Sequence, residues 1–270
     1  MALDAAYVIG GAVVGFIVGA TGVGGGSLMT PLLTLVFNVP AHMAVGTDLL
    51  FAAITKSSGV VAHSRAKTVH WGITAWQVAG SVTAAVITLS LVHWLQPDAS
   101  ALARVMTRTL GVALVLTAGA LLFKTQIQKL GRRFGNARTA AFEHFDTIPE
   151  TVPRVIPTVI VGLIIGTLVS LTSVGAGVLG VVALFFLYPN LAPARIVGTD
   201  IAHAVPLTLV AGLGHATLGA VNWSLLGALL VGSLPAIYLG SMLAARMHER
   251  LLRSFLAVML VGIGSKLLLT

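Results

Sequence analysis

Cysteine is absent from the 270 residues, so disulfides and thiolate metal sites are excluded. Charge is nearly as scarce. Asp, Glu, Lys and Arg make up 9% of the chain, against roughly 25% in soluble domains. A surface this poor in charge must face lipid rather than water. Several chemical signatures are also missing. There is no GxSxG or HExxH pattern and no convincing nucleophile–base pair, which argues against a membrane enzyme. The stretch GVGGGS lacks the Lys-Ser/Thr ending of a phosphate loop. No ATP-binding motif, resident cofactor or metal site is expected.

What is present is apolar and rich in glycine. Hydrophobic residues form 57% of the chain, mean hydropathy is +0.99, and there are 30 glycines and 10 prolines. In membranes glycine and proline permit close helix packing and broken helices. Apolar stretches fall at 5–20, 27–37, 41–62, 71–95, 103–123, 155–171, 176–188, 194–216, 222–245 and 250–269. A full span needs about 20 apolar residues. Segments 27–37 and 176–188 are too short, and each follows a glycine-containing break, so each reads as a half-helix or the return arm of a re-entrant hairpin. The N-terminus has no basic region and reads as a first membrane segment rather than a cleaved signal. The net charge of +8 sits in the connections, as orientation by basic loops requires, and no nucleic-acid platform is visible.

The chain repeats itself. Val45-Gly46-Thr47-Asp48 recurs as Val197-Gly198-Thr199-Asp200, 152 residues on. His63 returns as His215 and Val69-His70-Trp71 as Val221-Asn222-Trp223 at the same offset. Thr21-Gly-Val-Gly-Gly-Gly matches Thr172-Ser-Val-Gly-Ala-Gly at 151. This is the two-repeat plan of secondary transporters. Equivalent loops carry opposite charge bias. The turn after His63 holds Arg65 and Lys67, whereas its mate after His215 is uncharged. The loop around 96–103 is nearly neutral, whereas its mate holds Arg246, Arg250 and Arg253. Opposite bias implies opposite orientation. The expected architecture is an all-α polytopic membrane protein of two inverted halves, each with four to five apolar segments including a short broken one. Residues 1–123 form the first repeat, 124–154 a basic cytoplasmic linker and 155–270 the second repeat, with both termini outside.

Candidate binding groups lie at the repeats. Glycine-rich breaks expose successive backbone N–H groups, and at a helix start these bind anions. The first comprises Thr21, Gly22, Gly24, Gly25, Gly26 and Ser27; the second Thr172, Ser173, Gly175 and Gly177. Thr47, Ser57 and Thr199 add hydroxyls. Asp48 and Asp200 stand inside apolar segments, where a carboxylate costs roughly 2.5–3.5 kcal/mol; such groups are usually functional or paired. They are candidates to carry a coupling proton or sodium ion. The competing reading is local capping beside Thr47 and Thr199. Lys56 shares a helix face with Asp48 at i, i+8 and could attract an anion or snorkel to the interface. His203 and His215 are further polar candidates, with ordinary hydrogen-bonded histidines as the plainer reading.

The stretches GATGVGGGSLMTPLL, AVGTDLLFAAITKSSGVVAHSRAKTVHW and VGTDIAHAVPLTLVAGLGHATLGAVNW resemble the TauE/SafE family of sulfite exporters and toluene-sulfonate uptake permeases. The resemblance covers nearly the whole chain apart from the linker. It implies two homologous halves and transport of sulfite, thiosulfate or organosulfonates across the cell (inner) membrane. Many relatives carry serine where Asp48 and Asp200 stand here. The expectation is therefore a multi-pass permease for a small sulfur-containing anion, driven by gradients. An anion channel of the same architecture is the alternative, and homo-oligomerisation is left open.

Overall fold

Membrane-spanning backbone must satisfy its own hydrogen bonds, so apolar segments of this length fold as helices. The computed structural model describes residues 4–21, 26–95, 98–139, 154–244 and 249–269. Among these there are ten helices: α1 (Ala5–Thr21), α2 (Gly26–Leu35), α3 (Ala41–Arg65), α4 (Trp71–Leu95), α5 (Ala99–Thr139), α6 (Val155–Thr172), α7 (Val178–Leu187), α8 (Pro193–Thr217), α9 (Trp223–Ala244) and α10 (Glu249–Leu269). Each matches one apolar stretch of the sequence. Six are long and apolar enough to cross a membrane: α3, α4, most of α5, α6, α8 and most of α9. The ten residues each of α2 and α7 give roughly 15 Å of helix, half the hydrocarbon thickness.

One helix runs further than its apolar stretch. Helix α5 does not stop near residue 123 but continues to Thr139, through the first part of the expected linker. Its extension finds partners on α7. Gly131 packs against the Phe185 and Phe186 backbone, and Lys124 Nζ stands 5.4 Å from the Phe185 ring centroid. Residues 140–153 of the linker lie outside the described residues.

The helices pair by backbone approach at glycine. Helices α1 and α9 run parallel, with Gly11 against Leu229, Gly15 against Ser233 and Gly232 against Val8. The equivalent pair is α6 and α4, with Gly162 against Gln77, Gly166 against Ser81 and Gly80 against Val159. Each second contact is the first displaced by the repeat offset. At Gly15 and Gly166 an added β-carbon would lie 2.7 and 2.2 Å from a neighbouring backbone atom. No larger residue fits without separating the helices, which is the small-residue packing that membrane bundles rely on.

At the centre α3 and α8 cross antiparallel, with Gly46 against His215, Leu50 against Gly212 and Gly59 against Ile201. Helix α4 runs alongside α8, tied by Ser81 to His203 near its middle and by packing of Leu89 on Gly214 towards its end. Helices α5 and α10 pair antiparallel, with Gly111 against Gly264 and Leu268. The two repeats also brace each other's turns. His70 N donates to Thr199 Oγ1 at 3.0 Å, and Asn222 N donates to Thr47 Oγ1 at 3.1 Å, again equivalent bonds. Equivalent helices pairing antiparallel is consistent with the inverted repeat expected from the loops. Helices α2 and α7 then return the chain within each half, so that α1 and α3 point one way and α6 and α8 the other.

Packing of this kind is testable at matched positions. Gly15→Leu and Gly166→Leu are expected to lower the melting temperature of detergent-solubilised protein by several degrees, reflecting overpacking of about 1–3 kcal/mol or more. Gly227→Leu, on open helix surface with nothing within 4 Å of a β-carbon, is expected to leave it within a degree or two. Equal effects at all three positions would refute the packing scheme.

Candidate functional site

The second break is the organising feature. Helix α6 ends on Ser173, whose φ is 59°, and the chain then passes Gly175 at φ 119° and Gly177 at φ 149° before α7 begins. The last two conformations suit glycine alone. The break is buried: Ser173 is 3% exposed and Ala176 6%. Its backbone therefore needs partners. Val174 N donates to Thr172 Oγ1 at 3.1 Å. The Lys56 ammonium, arriving from α3, donates to the Ala176 carbonyl.

Lys56 is half-buried along its stem and reaches inward to this carbonyl rather than out to the interface. From there it interacts electrostatically with both Asp48 and Asp200, and with His203. Asp48 is fully buried on α3. Its Oδ2 accepts a 2.5 Å hydrogen bond from Thr30 Oγ1 of α2. Ser173 lies beside it, yet Asp48 Oδ1 and Ser173 Oγ have no hydrogen-bond partner. Asp200, 1% exposed on α8, sits against the first turn of α7. A β-carbon at Gly180 would lie 1.8 Å from its Oδ1. That oxygen stands 4.0 Å from His203 Nδ1, and neither atom has a hydrogen-bond partner. The opposite ring nitrogen, His203 Nε2, is 2.9 Å from Ser81 Oγ of α4.

Thr74, Gln77 and Ser81 line one face of α4 at i, i+3 and i+7 spacing, all buried. Thr74 Oγ1 bonds the Thr199 carbonyl at 3.4 Å and Ser81 meets His203. Gln77, between them, has both amide atoms buried without a partner. Buried polar atoms are normally satisfied. A concentration of available donors and acceptors around one lysine and two carboxylates makes this cluster the candidate site for a polar solute.

The sequence candidates are thus partly gathered. Asp48, Asp200, Lys56, Ser173 and His203 come together, with the Thr172–Gly177 break as one wall. Ser27 is buried at the start of α2. Gly22, Gly24 and Gly25, and the side chain of Thr21, lie outside the described residues; Gly26 opens α2. Thr47 and Thr199 spend their hydroxyls on the turns of the opposite half. Ser57 is exposed and its hydroxyl bonds back to Ala53 at 2.7 Å. His215 lies near the end of α8, away from the cluster, bonding the Ser170 carbonyl at 2.8 Å through Nε2. No group of metal-ligating side chains is found among the described residues. Thr30, Gln77 and Ser81 were not singled out from sequence. For Gln77 and Ser81 a signal existed, the polar stripe at helical spacing in an otherwise apolar span.

Comparison with known proteins agrees with this architecture. Residues 7–267 match the family described as Sulfite exporter TauE/SafE. The chain is 33% identical to the probable membrane transporter protein YjnA of Bacillus subtilis, over 98% of this chain and 100% of the relative. It is 28% identical to the probable membrane transporter protein YdhB of the same organism, over 92% and 94% of the two chains. A probable membrane transporter protein of Xylella fastidiosa is 25% identical over 88% of this chain and 83% of its own length. No solved structure matches. The family match takes in both halves, both short helices and every member of the central cluster, so the chain belongs to the TauE/SafE family and is a multi-pass membrane transporter.

Proposed function

We propose that the protein is a secondary transporter that carries a small sulfur-containing anion, such as sulfite, thiosulfate or an organosulfonate, across the cell membrane, and that its movement is coupled to protons. The observation that carries this reading is Lys56, whose ammonium reaches the α6–α7 break and interacts with Asp48 and Asp200 together. An anion entering the cluster meets this cation and the start of α7, where helix N–H groups favour negative charge. The three oxygens of a sulfite or sulfonate group suit donors arriving from several directions.

Charge balance supplies the coupling. One lysine between two ionised carboxylates leaves a net negative site, which repels an anion strongly in an apolar surround. A proton taken up by either carboxylate restores neutrality and admits the substrate. Sodium could fill the same role by charge, but Asp200 Oδ1 has His203 Nδ1 at 4.0 Å and no hydrogen-bond partner rather than a shell of oxygens, which favours the proton. Buried charges closed off by packed helices also favour a gated carrier over an open channel.

Reconstituted protein is expected to take up radiolabelled sulfite, thiosulfate or sulfoacetate saturably, and faster under an inward proton gradient. Asp48→Asn and Asp200→Asn are each expected to abolish the gradient stimulation. Lys56→Gln is expected to raise KM about tenfold, equivalent to about 1.4 kcal/mol. Unchanged gradient dependence in both aspartate variants would dismiss proton coupling. Absence of flux for all three anions would dismiss the substrate class.

The orientation follows from the basic loops and has its own test. The chain has no cysteine, so single introduced thiols report cleanly. Arg65→Cys and Thr217→Cys occupy equivalent, exposed positions. A membrane-impermeant maleimide added to intact cells is expected to label the second and not the first. Labelling of both from one side would contradict the inverted arrangement.

A further inference from the structure

Away from the central cluster, a cavity of about 190 Å³ opens where α3, α5 and their neighbours meet, at the end of the molecule opposite the Arg65–Lys67 turn. Three histidines line it in order of depth. His93 near the end of α4 is exposed, His42 at the start of α3 is half-buried, and His215 in the last turn of α8 is 4% exposed. The remaining wall is largely apolar, including Leu102, Met106 and Ala220. His42 Nδ1 and His215 Nδ1 are both buried without a hydrogen-bond partner, and the two rings lie close enough to interact electrostatically.

The repeat explains why this end is open. In the first half, His63 Nδ1 is occupied by Thr68 Oγ1 at 2.8 Å. In the second half His215 replaces His63, but Ala220 stands where Thr68 would be, 152 residues on. The hydroxyl is lost, so the ring nitrogen is left facing the cavity. The other ring nitrogen, His215 Nε2, must carry its hydrogen, because its partner is the Ser170 carbonyl. Nδ1 of the neutral ring is then a bare acceptor, which offers nothing to an anion. Uptake of one proton converts it into a charged donor.

We propose that this cavity is a second anion-binding site, an entry site that takes up a sulfur oxyanion together with a proton on the His42–His215 pair; the choice of ligand rests on the transport reading given above. Among the described residues no carboxylate competes for the histidines. On α3 the nearest acid is Asp48, held by Thr30. On α4 the only other titratable group nearby is His93 itself. Asp98, before α5, is exposed, and Arg104 and Arg108 are exposed on a different face of α5 from Leu102 and Met106. Helix α6 has no ionisable residue within Val155–Thr172. On α8, Asp200 and His203 lie deeper; twelve residues separate His203 from His215, roughly 18 Å of helix. The two sites are therefore distinct, and Ser170, whose carbonyl holds His215, sits just before the break that walls the central one.

Thiosulfate keeps its charge across the imidazole range and is the probe. Calorimetric titration of the full-length protein in detergent is made at about pH 5 and about pH 7.5, the lower well below the ordinary histidine value of about 6.5. At the lower pH two classes of site are expected, the second adding about one proton to whatever uptake accompanies the first, read from buffers of different ionisation enthalpy as the difference between wild type and His42→Gln. At the higher pH the second is expected to weaken at least tenfold. His42→Gln and His215→Gln should each remove the second site and keep the first, and Lys56→Gln should weaken the first about tenfold and keep the second. His42 is only half-buried, so its variant and the wild-type pH dependence remain informative even if His215→Gln does not fold. A single class of site at both pH values, or a second site that survives both histidine variants, would overturn the proposal while leaving the central site standing. Absence of thiosulfate binding at either pH would overturn both.

Discussion

The long side chain of Lys56 joins the two halves of this protein at their most expensive point. Unwound backbone and ionisable groups are both costly at membrane depth, and each is tolerated only with a partner. Here one ammonium serves both needs. It bonds the Ala176 carbonyl in the α6–α7 break and lies within electrostatic reach of Asp48 and Asp200. Remove it and the break loses a donor, while two buried carboxylates lose their cation. The local order of α7, the placement of Asp200 against its first turn and the charge of the central cluster all follow from that contact.

The glycines make such a contact possible. Lys56 can reach the second half only because α3 and α8 approach closely, and that approach depends on Gly46, Gly212 and Gly59. The outer pairs α1–α9 and α4–α6 are held the same way, so the duplication is expressed as packing as well as sequence. Within this near-symmetric frame the functional groups are unequal. Lys56 has Thr208 as its mate, Gln77 has Leu229, and Thr68 has Ala220.

Much of this was legible in the sequence. Ten apolar stretches became ten helices, and the two short ones became the broken elements, because length and hydropathy alone govern whether a helix can span. Offsets of 151 and 152 residues anticipated the equivalent contacts. Other features were not readable, for physical reasons. A threonine hydroxyl beside a buried aspartate can bond locally or across the bundle, and only tertiary packing turned Thr47 and Thr199 towards the opposite turns. Lysine near a helix end can snorkel outward or reach inward, and a carbonyl freed by the break drew Lys56 inward. The extension of α5 depended on the α7 surface it covers. Thr30 gave no periodic signal, being one hydroxyl in a short helix, whereas the Thr74–Gln77–Ser81 stripe did.

The claim most exposed to test is that Lys56 and Asp200 act as one electrostatic unit in the protein interior. A double-mutant cycle on thermal stability measures this directly, using Lys56→Gln, Asp200→Asn and the double variant. Because an unpaired buried charge is more harmful than none, the double variant should be more stable than Lys56→Gln alone, with a coupling energy of about 0.5–3 kcal/mol. Strict additivity of the two single effects would contradict it, and with it the central role assigned to the lysine.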